Sequence, residues 1–516
     1  MNFSMSLYSS FFQITKQKHD QVFLMQEGEN YTYYDVLNKS LQIAGYLLEV
    51  GVKKRSRVAI MLLPSPEFYF IILALSRLEC TVVPVDPNFK SLALRHVLSD
   101  ADISTIIYYQ KFEKSVADAI DILESISTII AVGQKGDLSD LYIDSTLKHS
   151  LYGGPFHPDN KQEAVIFFSS GTSGPSKGGI FTNQQLLKNA QSFYETMMFH
   201  KDEILCAQFP LHHFWGFTTV LVTSLMKGNR VILNPSFTLP SVPESSRGII
   251  LIGETTYFEA LSTSLETMPE NYLYGITAGG HLKSEVQSWF YQTFHFPIYR
   301  GYGLIEAGPI ILINNDERKL RSIGVPLHNI AISLRNGEKV VSDQKVCELC
   351  IWKESLISGF TSNQDKLKTS LDDDGWFHTG DLCYQDLDGY FYFVDRVENR
   401  IRINGFDIFP EKMEDILKKH PNVQEAVIVG IPIDNRGNEK CVAFVVPKKL
   451  SQANADELKA YLKGKVPRYQ IPSDVIFTDH LLVGATGKIA RQTIRINAIH
   501  RNSKNNNISS KMEDDE

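Results

Sequence analysis

The sequence predicts an α/β protein with a large multi-lobed N-terminal domain, built on doubly wound sheets, and a small α+β C-terminal lid domain. Apolar strands alternate with amphipathic helices over residues 31–109, which is typical of parallel sheets covered by helices. A chain of 516 residues is too long for one hydrophobic core, and its 43% of hydrophobic residues can fill several. Beyond residue 395 a charged run precedes a compact unit of about a hundred residues, the size of a small domain.

The first alternation begins with a helix. Tyr34, Leu37 and Leu41 recur at helical spacing, and Thr32 can cap the helix that they predict. The segment 136–162 is richer in Gly, Ser, Asp and Pro, so we expect a connection there. The expected helices are 31–50, 67–78 and 92–99, and the expected strands are 58–63, 81–85 and 103–109.

A loop of Ser, Thr and Gly follows the apolar stretch 165–168, and it ends at Lys177 and Gly178. This pattern predicts a buried strand that opens into a flexible loop. Glycines let backbone N–H groups approach the oxygens of a polyphosphate, hydroxyls add donors, and Lys177 supplies a positive charge. The spacing is not that of a Walker loop. A flexible surface loop is the alternative interpretation of this stretch alone.

Two other stretches place polar groups after predicted strands. Within 298–306, Tyr302 stands between glycines, where a ring can stack on a base, and Glu306 could bind a hard cation such as Mg²⁺. Within 376–381, apolar residues lead to Asp381 at a predicted turn, where a carboxylate can accept hydrogen bonds from ribose hydroxyls. A tight turn with a solvated Glu306 is the alternative for the first stretch.

Two histidines, His212 and His213, stand among aromatic residues within 210–216. A histidine in an aromatic cluster is more often a packed core residue than a catalyst, so this stretch alone does not predict a role. Earlier in the chain, Thr182 and Gln185 have the spacing of a capping box at the start of a helix.

The charged run 395–402 predicts a solvated linker. Pro410 then opens a helix with Met413 and Leu417 facing inward, and further elements are expected at 423–431, 441–446 and 455–463. The expected division of the chain is an N-terminal domain over 1–395, a C-terminal domain over 396–500 and a disordered tail over 501–516.

Charge and cysteine content limit the partners. A net charge of −7 argues against a nucleic-acid surface and a polybasic membrane anchor. Arg77 and Glu79 interrupt the most apolar segment, 68–85, so we expect a helix and a strand there and no integral membrane association. The N-terminus lacks the pattern of a signal peptide. Six scattered cysteines, expected to be strand residues in a reducing compartment, indicate the cytoplasm.

Taken in order, these motifs resemble those of the adenylate-forming superfamily of acyl- and aryl-CoA ligases, luciferases and adenylation domains. The resemblance extends from about residue 32 to about residue 491. It rests on the phosphate-binding signature 168–178, the Pro-x-x-His segment 210–216, the small residues 278–280, the stretch 302–306, Asp381, Arg396 and the segment 486–488.

The resemblance implies a carboxylic acid substrate and, as cofactors, ATP, Mg²⁺ and CoA or another phosphopantetheine. It implies catalytic roles for Lys488, His213 and Glu306, with Glu306 also binding the metal. The implied nucleotide-binding residues are Ser169, Ser170, Gly171, Thr172, Ser173, Gly174, Lys177, Ala278, Gly279, Gly280, Tyr302, Gly303, Ile305, Asp381, Arg396, Arg402 and Gly405.

The chemistry that the resemblance implies has two steps. A carboxylate attacks the α-phosphate of ATP, pyrophosphate leaves, and a pantetheine thiol then attacks the acyl-adenylate. The first step needs positive charge around the phosphate, which loop N–H groups, Mg²⁺ and Lys488 would supply. Rotation of the C-terminal domain about a hinge near Glu398 would separate the two steps.

Ile305 departs from the family pattern, because Thr is usual there. Its hydroxyl would ordinarily face the phosphate or the acyl carboxylate, so one expectation is slower adenylation. The other expectation is that Ile305 packs against an apolar acyl chain. Milder departures are Ser176, Asn404, the missing Gly near Cys80 and the run 482–484.

Three functions remain open at this point. The first is an acyl- or aryl-CoA ligase, and the second is a ligase that loads a separate acyl carrier protein. The carrier would have to act in trans, since we expect no carrier domain after Arg491. The third is a degenerate member that binds nucleotide without turnover. An amino-acid substrate is not expected, because 214–219 offers no Asp for an α-ammonium group.

Overall fold

The structure is a computed structural model. The part of the chain that it describes comprises residues 5–144, 148–168, 176–234, 236, 238–241, 246–280, 282–336, 339–340, 345–362, 367, 370–403, 406–433, 438–448, 454–483 and 489–500. The predicted disordered tail, 501–516, lies outside these residues.

The helices begin where polar caps precede apolar faces. Thr32 and Asp35 form a capping box at the start of α2, and Thr182 and Gln185 form one at the start of α6, as predicted. The helices are α1 Leu7–Lys18, α2 Tyr33–Glu49, α3 Pro66–Arg77, α4 Ser91–Asp100, α5 Glu113–Ile120, α6 Asn183–Thr196, α7 Phe214–Gly216, α8 Thr223–Lys227, α9 Thr255–Ser264, α10 Ser284–Phe294, α11 Pro410–Lys418, α12 Ala455–Leu462 and α13 over 491–500; a π-helical segment, Phe217–Val222, joins α7 to α8.

The strands are short and mostly apolar. They are β1 Val22–Gln26, β2 Glu29–Thr32, β3 Arg57–Met61, β4 Thr81–Pro84, β5 Thr105–Tyr109, β6 Thr128–Val132, β7 Tyr142–Ile143, β8 Glu163–Phe168, β9 Gly178–Thr182, β10 Glu203–Gln208, β11 Arg230–Leu233, β12 Gly248–Gly253, β13 Tyr272–Ala278, β14 Ile298–Leu304, β15 Gly308–Ile313, β16 Val325–Pro326, β17 Ile332–Asn336, β18 Lys339–Val340, β19 Cys347–Trp352, β20 Gly359–Phe360, β21 Trp376–Gln385, β22 Phe391–Arg396, β23 Ile401–Ile403, β24 Phe406–Ile408, β25 Val423–Pro432, β26 Glu439–Pro447 and β27 Asp474–Phe477.

Two large sheets form most of the N-terminal domain. One has the order β20-β9-β8-β4-β3-β5-β6-β7, and the other has the order β16-β15-β14-β13-β12-β10-β11-β1-β2. Their central strands are parallel, and antiparallel strands lie at the edges, as β8 with β9 and β14 with β15 show. The predicted alternation of strands and helices over 31–109 is confirmed.

The alternating side chains of these strands fill separate cores. Val58 and Ile60 belong to one large core that both sheets share, whereas Ala59 and Met61 pack beneath α4 and α5 on the opposite face. A third core lies between the nine-stranded sheet and helices α9 and α10. Helices therefore cover both sheets on two faces, which confirms the predicted doubly wound fold.

An antiparallel five-stranded sheet of order β18-β17-β19-β21-β22 completes the N-terminal domain. Asp381 was expected at a turn, and that expectation is wrong, because Asp381 lies within the ten-residue strand β21. Gly380 has φ +76, which bends the strand just before Asp381. The bend replaces the predicted turn.

The small C-terminal domain has a three-stranded sheet of order β25-β26-β27. Met413 and Leu417 of α11 pack on one face with α12, as predicted, and α13 packs on the other face. The charged run 395–402 is a solvated linker only in part, because Glu398 and Arg402 are exposed whereas Asp395 is only 2% exposed and, with Arg396, ends β22. Burial raises the pKa of Asp395, and the N–H of Arg396 and the amide of Asn399 hydrogen-bond to it.

The apolar segment 68–85 is divided between α3 and β4, as predicted. In the ranges given above, each helix is too short or too polar to cross a membrane. All six cysteines are buried and unpaired. Five lie in strands as expected, but Cys80 precedes β4 in a loop.

Candidate active site

The site is built at the carboxyl ends of β13 and β14, where doubly wound sheets bind ligands. Ala278 is the last residue of β13 and pairs with Gly301 of β14. Gly279 follows with φ +76, and its missing Cβ would lie 4.0 Å from Cε1 of His213. At Gly280 a Cβ would lie 2.9 Å from Oγ1 of Thr255, so the small residues predicted here allow a close approach.

His213 caps the short helix α7. Its Nδ1 accepts a hydrogen bond from the backbone N–H of Trp215 at 3.3 Å, so the neutral ring carries its proton on Nε2. The rings of Phe209 and Phe214 pack on it at centroid distances of 5.2 and 4.3 Å. The half-buried His213 therefore presents an Nε2–H donor on the Gly279 side of the sheet.

Sequence reasoning missed Trp215, which is 1% exposed. A Cβ at Gly301 would overlap its six-membered ring, and a Cβ at Gly303 would lie 3.2 Å from its Nε1. That Nε1 is buried without a hydrogen-bond partner. Two features of the sequence could have indicated it. Trp215 follows His213 by two residues, and Gly301 and Gly303 stand at alternate positions of a predicted strand, which leaves space on one face for a large side chain.

Tyr302 and Asp381 meet across two sheets. The Tyr302 hydroxyl donates to Oδ2 of Asp381 at 2.5 Å, and Nε of Arg396 lies 3.0 Å from Oδ1. The Arg396 contact is an ion pair whose geometry leaves the buried Nε without a hydrogen bond. Tyr302 stands between Gly301 and Gly303 of β14, and its ring packs at the edge of the large core.

Charges around this pair shift both titrations. Burial and the charge of Asp381 raise the pKa of Tyr302 well above its usual value. Burial raises the pKa of Asp381, Arg396 and the Tyr302 hydroxyl lower it, and the charges of Glu306 and Glu398 raise it again. Glu306 and Glu398 therefore act on the same carboxylate as Arg396, although they are far apart in sequence.

The turn between β14 and β15 carries Ile305 and Glu306. Ile305 is 6% exposed, and its Cγ2 fills the space where a Cβ of Gly179 on β9 would lie. The backbone N–H of Ile357 donates to the carbonyl of Glu306 at 3.0 Å. These contacts hold the turn against β9, the strand that follows the predicted phosphate loop.

The predicted phosphate-loop residues 169–174 lie outside the described residues. Their flanks are described: Phe168 pairs with Gly178 where β8 and β9 meet, so the loop connects the ends of a hairpin. Ser176 and Lys177 precede β9, and Nε2 of His96 lies 2.7 Å from the Ser176 carbonyl. The hairpin end is thus close to the Ile305 turn.

Of the three remaining predicted residues, only Arg402 is among those that the structure describes. Arg402 is on β23, where its Nε lies 3.3 Å from Oδ1 of Asp407. Gly405 and Lys488 lie outside the described residues. The described contacts therefore bring together Tyr302, Asp381 and Arg396 in one cluster and His213 with Gly279 in another.

Glu306 is the carboxylate that the sequence predicts to bind a metal ion. No set of three or more His, Cys, Asp and Glu side chains within the described ranges could hold one. Mg²⁺ in nucleotide sites is commonly held by one or two carboxylates together with phosphate oxygens. The single carboxylate of Glu306 fits that arrangement.

Comparison with known proteins identifies the family. The profile described as AMP-binding enzyme matches residues 11–361, and the profile of the AMP-binding enzyme C-terminal domain matches residues 412–488. This chain belongs to the AMP-binding enzyme family. The predicted resemblance, the fold class and the predicted enzyme class, an AMP-forming acid–thiol ligase, are confirmed.

Similar proteins match this AMP-binding enzyme along nearly all of its length. A long-chain-fatty-acid–CoA ligase from Escherichia coli O157:H7 is 26% identical over 95% of this chain and 94% of its own. A 4-coumarate–CoA ligase from Oryza sativa subsp. japonica is 25% identical over 91% of this chain and 88% of its own. The o-succinylbenzoate CoA synthetase of Bacillus subtilis, solved with an acyl-adenylate intermediate, is 22% identical and covers 95% of this chain and 98% of its own, with a TM-score of 0.81.

Proposed function

We propose that this AMP-binding enzyme activates a carboxylic acid with ATP and transfers the acyl group from the acyl-adenylate to the thiol of CoA. The observation that supports the proposal most is the cluster of Tyr302, Asp381 and Arg396, in which Tyr302 lies on β14 next to β13 and the His213–Gly279 contact. One half suits a nucleoside and the other suits a carboxylate, so the two reactants can meet between them.

The nucleoside half has the polar groups that ribose needs. Asp381 is an acceptor for vicinal hydroxyls, Arg396 offers a buried Nε without a hydrogen bond, and Tyr302 offers an aromatic face for adenine. Burial strengthens such hydrogen bonds, because the local dielectric is lower than in water. The small residues Gly279 and Gly280 leave room beside them.

The acid half supplies donors and positive charge. In this proposal the Nε2–H of His213 orients the carboxylate, and Lys177 supplies positive charge for the phosphates. Lys488 would balance the negative charge that develops at the α-phosphate during attack. Mg²⁺ held by Glu306 would neutralise charge on the phosphate oxygens.

CoA is the favoured acceptor of the acyl group, because the relatives named above are CoA ligases. A separate acyl carrier protein remains the alternative acceptor, since both present the same phosphopantetheine thiol. We place the enzyme in the cytoplasm, where six buried, unpaired thiols stay reduced. The division into domains at residues 395 and 396 is part of the proposal.

A hinge near Glu398 fits the contacts between the domains. Glu398 lies in the single turn Val397–Asn399 between β22 and β23, and its carbonyl accepts from Nε2 of Gln492 at 3.2 Å. Between the domains, the backbone N–H of Glu411 donates to Oδ2 of Asp395 at 3.4 Å, and Lys419 of α11 pairs with Glu285 of α10 at 2.6 Å. The ion pair is a surface contact that a rotation can break at small cost.

Pyrophosphate release from ATP with a panel of carboxylic acids, followed by mass spectrometry of the thioesters, tests the proposal. Acid-dependent release followed by an acyl-CoA product is expected. Nucleotide binding without release for any acid would instead favour the degenerate member, and thioester only on a carrier protein would favour the carrier-loading ligase.

Lys488→Ala separates the two steps. It is expected to abolish acyl-adenylate formation and to leave thioester formation from supplied acyl-adenylate intact, because only the first step develops charge on the phosphate. Lys459→Ala, on the exposed side of α12, is the matched control. Equal loss of both steps in Lys488→Ala would contradict the assignment.

A further inference from the structure

A second set of charged residues lies directly behind Asp381, on β19 and β21. Both oxygens of Glu348 are engaged there: Oε1 accepts from the backbone N–H of Gly380 at 2.8 Å, and Oε2 lies 2.8 Å from Nδ1 of His378. Glu348 therefore contacts the bent segment of β21 at two residues, His378 and Gly380, and Gly380 directly precedes Asp381.

The opposite side of the His378 ring faces another carboxylate. Its Nε2 lies 3.3 Å from Oδ2 of Asp372, whose other oxygen accepts from the N–H of Trp376 at 2.7 Å. A neutral imidazole can donate from one nitrogen only, whereas an imidazolium donates from both. The arrangement of two carboxylates about one ring therefore favours the protonated form.

Other polar groups lie near this ring. The Cys350 thiol lies 3.5 Å from Nδ1, and burial together with Glu348 raises its pKa to about 12, so it stays neutral. Arg335 of β17 approaches the oxygen of Asp372 that faces His378, with its Nε 3.8 Å from Oδ2. Burial alone would lower the pKa of His378, but Glu348 and Asp372 raise it above its usual value.

The bend that this network holds directs Asp381 into the site. Thr379 Oγ1 donates to the carbonyl of Leu349 at 2.7 Å and accepts from the N–H of Asp381 at 3.0 Å. Gly380 between them has a positive φ, and its N–H donates to Glu348. A shift of this bend would move Asp381 away from Tyr302.

We propose that Glu348 and the imidazolium of His378 are positioning residues of the nucleotide site, which hold the Gly380 bend so that Asp381 reaches Tyr302 and the ribose. This inference rests on the proposed function, because it takes Asp381 as a nucleotide ligand. It adds a dependence on pH: the imidazolium holds the bend below the raised pKa of His378, and nucleotide affinity falls as the pH rises through that value.

Calorimetric titration of the full-length protein with AMP, from about pH 6 to about pH 9, tests the inference. The dissociation constant for the wild type is expected to increase about three- to tenfold across this range, since one hydrogen-bonded contact is lost. His378→Asn, which retains a donor toward Glu348 but cannot titrate, is expected to bind weakly throughout and to lose this pH dependence. The ligand's own titration is common to all variants and cancels in the comparison.

The control is Asp374→Asn, which removes a carboxylate that pairs with Arg335 and not with His378. It should retain the wild-type pH profile. Asp372→Asn should lower the His378 pKa, measured by the ring proton in NMR spectra, and shift the affinity midpoint to lower pH. Asp372→Asn therefore still tests the inference if His378→Asn does not fold.

A wild-type affinity that is constant with pH, or a His378→Asn protein with the wild-type profile, would overturn the inference. A wild-type protein that binds no adenine nucleotide at any pH would overturn the proposed function. In that case the NMR titration still measures whether His378 stays protonated between Glu348 and Asp372. A His378 pKa at or below its usual value would exclude an imidazolium that holds the Gly380 bend.

Discussion

The phenolic oxygen of Tyr302 lies 2.5 Å from Oδ2 of Asp381, although the two residues are 79 positions apart in the chain. Tyr302 belongs to the nine-stranded sheet and Asp381 to the five-stranded sheet, so this hydrogen bond joins the two sheets at the candidate site. Because the phenol donates and the carboxylate accepts, the bond orients Asp381 and leaves its other oxygen to Arg396.

Removing either partner should weaken nucleotide binding to different extents. Tyr302→Phe keeps the ring and loses one hydrogen bond to a charged group, so the ATP KM should rise about threefold to tenfold. Asp381→Asn also loses the charge that faces Arg396, and about a 10- to 100-fold rise is expected. Initial rates of pyrophosphate release at varied ATP measure both, and an unchanged KM in Asp381→Asn would contradict the site.

The contact between Ile305 and Gly179 suggests a different role for Ile305 from the two expected from the sequence. Neither the phosphate nor an acyl chain is needed to explain a side chain that packs on β9 and beside Ile357. Gly179→Ala should therefore lower the free energy of unfolding by about 1–3 kcal/mol, because the added methyl group overlaps Ile305.

The pair can be tested by a double-mutant cycle. Ile305→Ala alone should cost about 2–5 kcal/mol as a buried truncation, yet the double variant should be more stable than the sum of the two predicts, by about 0.5–3 kcal/mol. Denaturant unfolding of the four proteins measures this. Strict additivity would show that the two side chains do not compete for one space.

Local signals were enough to predict many elements. Caps, apolar periodicity and proline position gave α2, α6 and α11 to within a few residues, because those features act between neighbours in sequence. The strand β21 was harder. It contains Gly380 followed by Asp381, residue types that favour turns, and pairing with β19 and β22 keeps the segment extended.

Site residues that belong to a sequence motif could be predicted, whereas contacts between strands that are distant in sequence could not. The motif residues Tyr302 and Asp381 could be named from the sequence, but their hydrogen bond could not. The network of Glu348 and His378 was also missed, because the two residues are 30 positions apart and only the register of β19 with β21 brings them together.

Trp215 fills the space above Gly301 and Gly303, beside the surface that His213 faces. If the acid extends from His213 along this face, the indole limits its length. Trp215→Ala should therefore extend pyrophosphate release to longer linear acids and raise the KM for compact ones, with a stability cost of about 3–5 kcal/mol. The control Trp289→Phe, on α10, should leave the acid profile unchanged. An unaltered profile in Trp215→Ala would place the acid elsewhere.

Glu411 at the start of α11 lies between the two domains. Its backbone N–H donates to Oδ2 of Asp395 at 3.4 Å. Burial, together with the charges of Asp395, Asp415 and Glu414 and against that of Arg491, raises the pKa of Glu411 to about 8. At neutral pH this carboxyl is therefore protonated in the folded protein.

The sign of the pH dependence follows from that direction. The unfolded chain releases this proton near pH 4.5, whereas the folded protein keeps it to about pH 8, so folding takes up a proton between these values. The contribution of Glu411 to stability is therefore greatest below the lower value and falls steadily as the pH rises to the upper one.

Glu411→Gln removes this titration. The melting temperature of this variant, relative to that of the wild type, should therefore rise as the pH increases from about 5 to about 8. Glu425→Gln, on β25, pairs only with the surface residue Lys418 and should follow the wild type. Calorimetry measures the melting temperatures of these proteins. If the melting temperatures of the wild type and Glu411→Gln change equally with pH, the carboxyl of Glu411 ionises as it does in water, and the prediction is wrong.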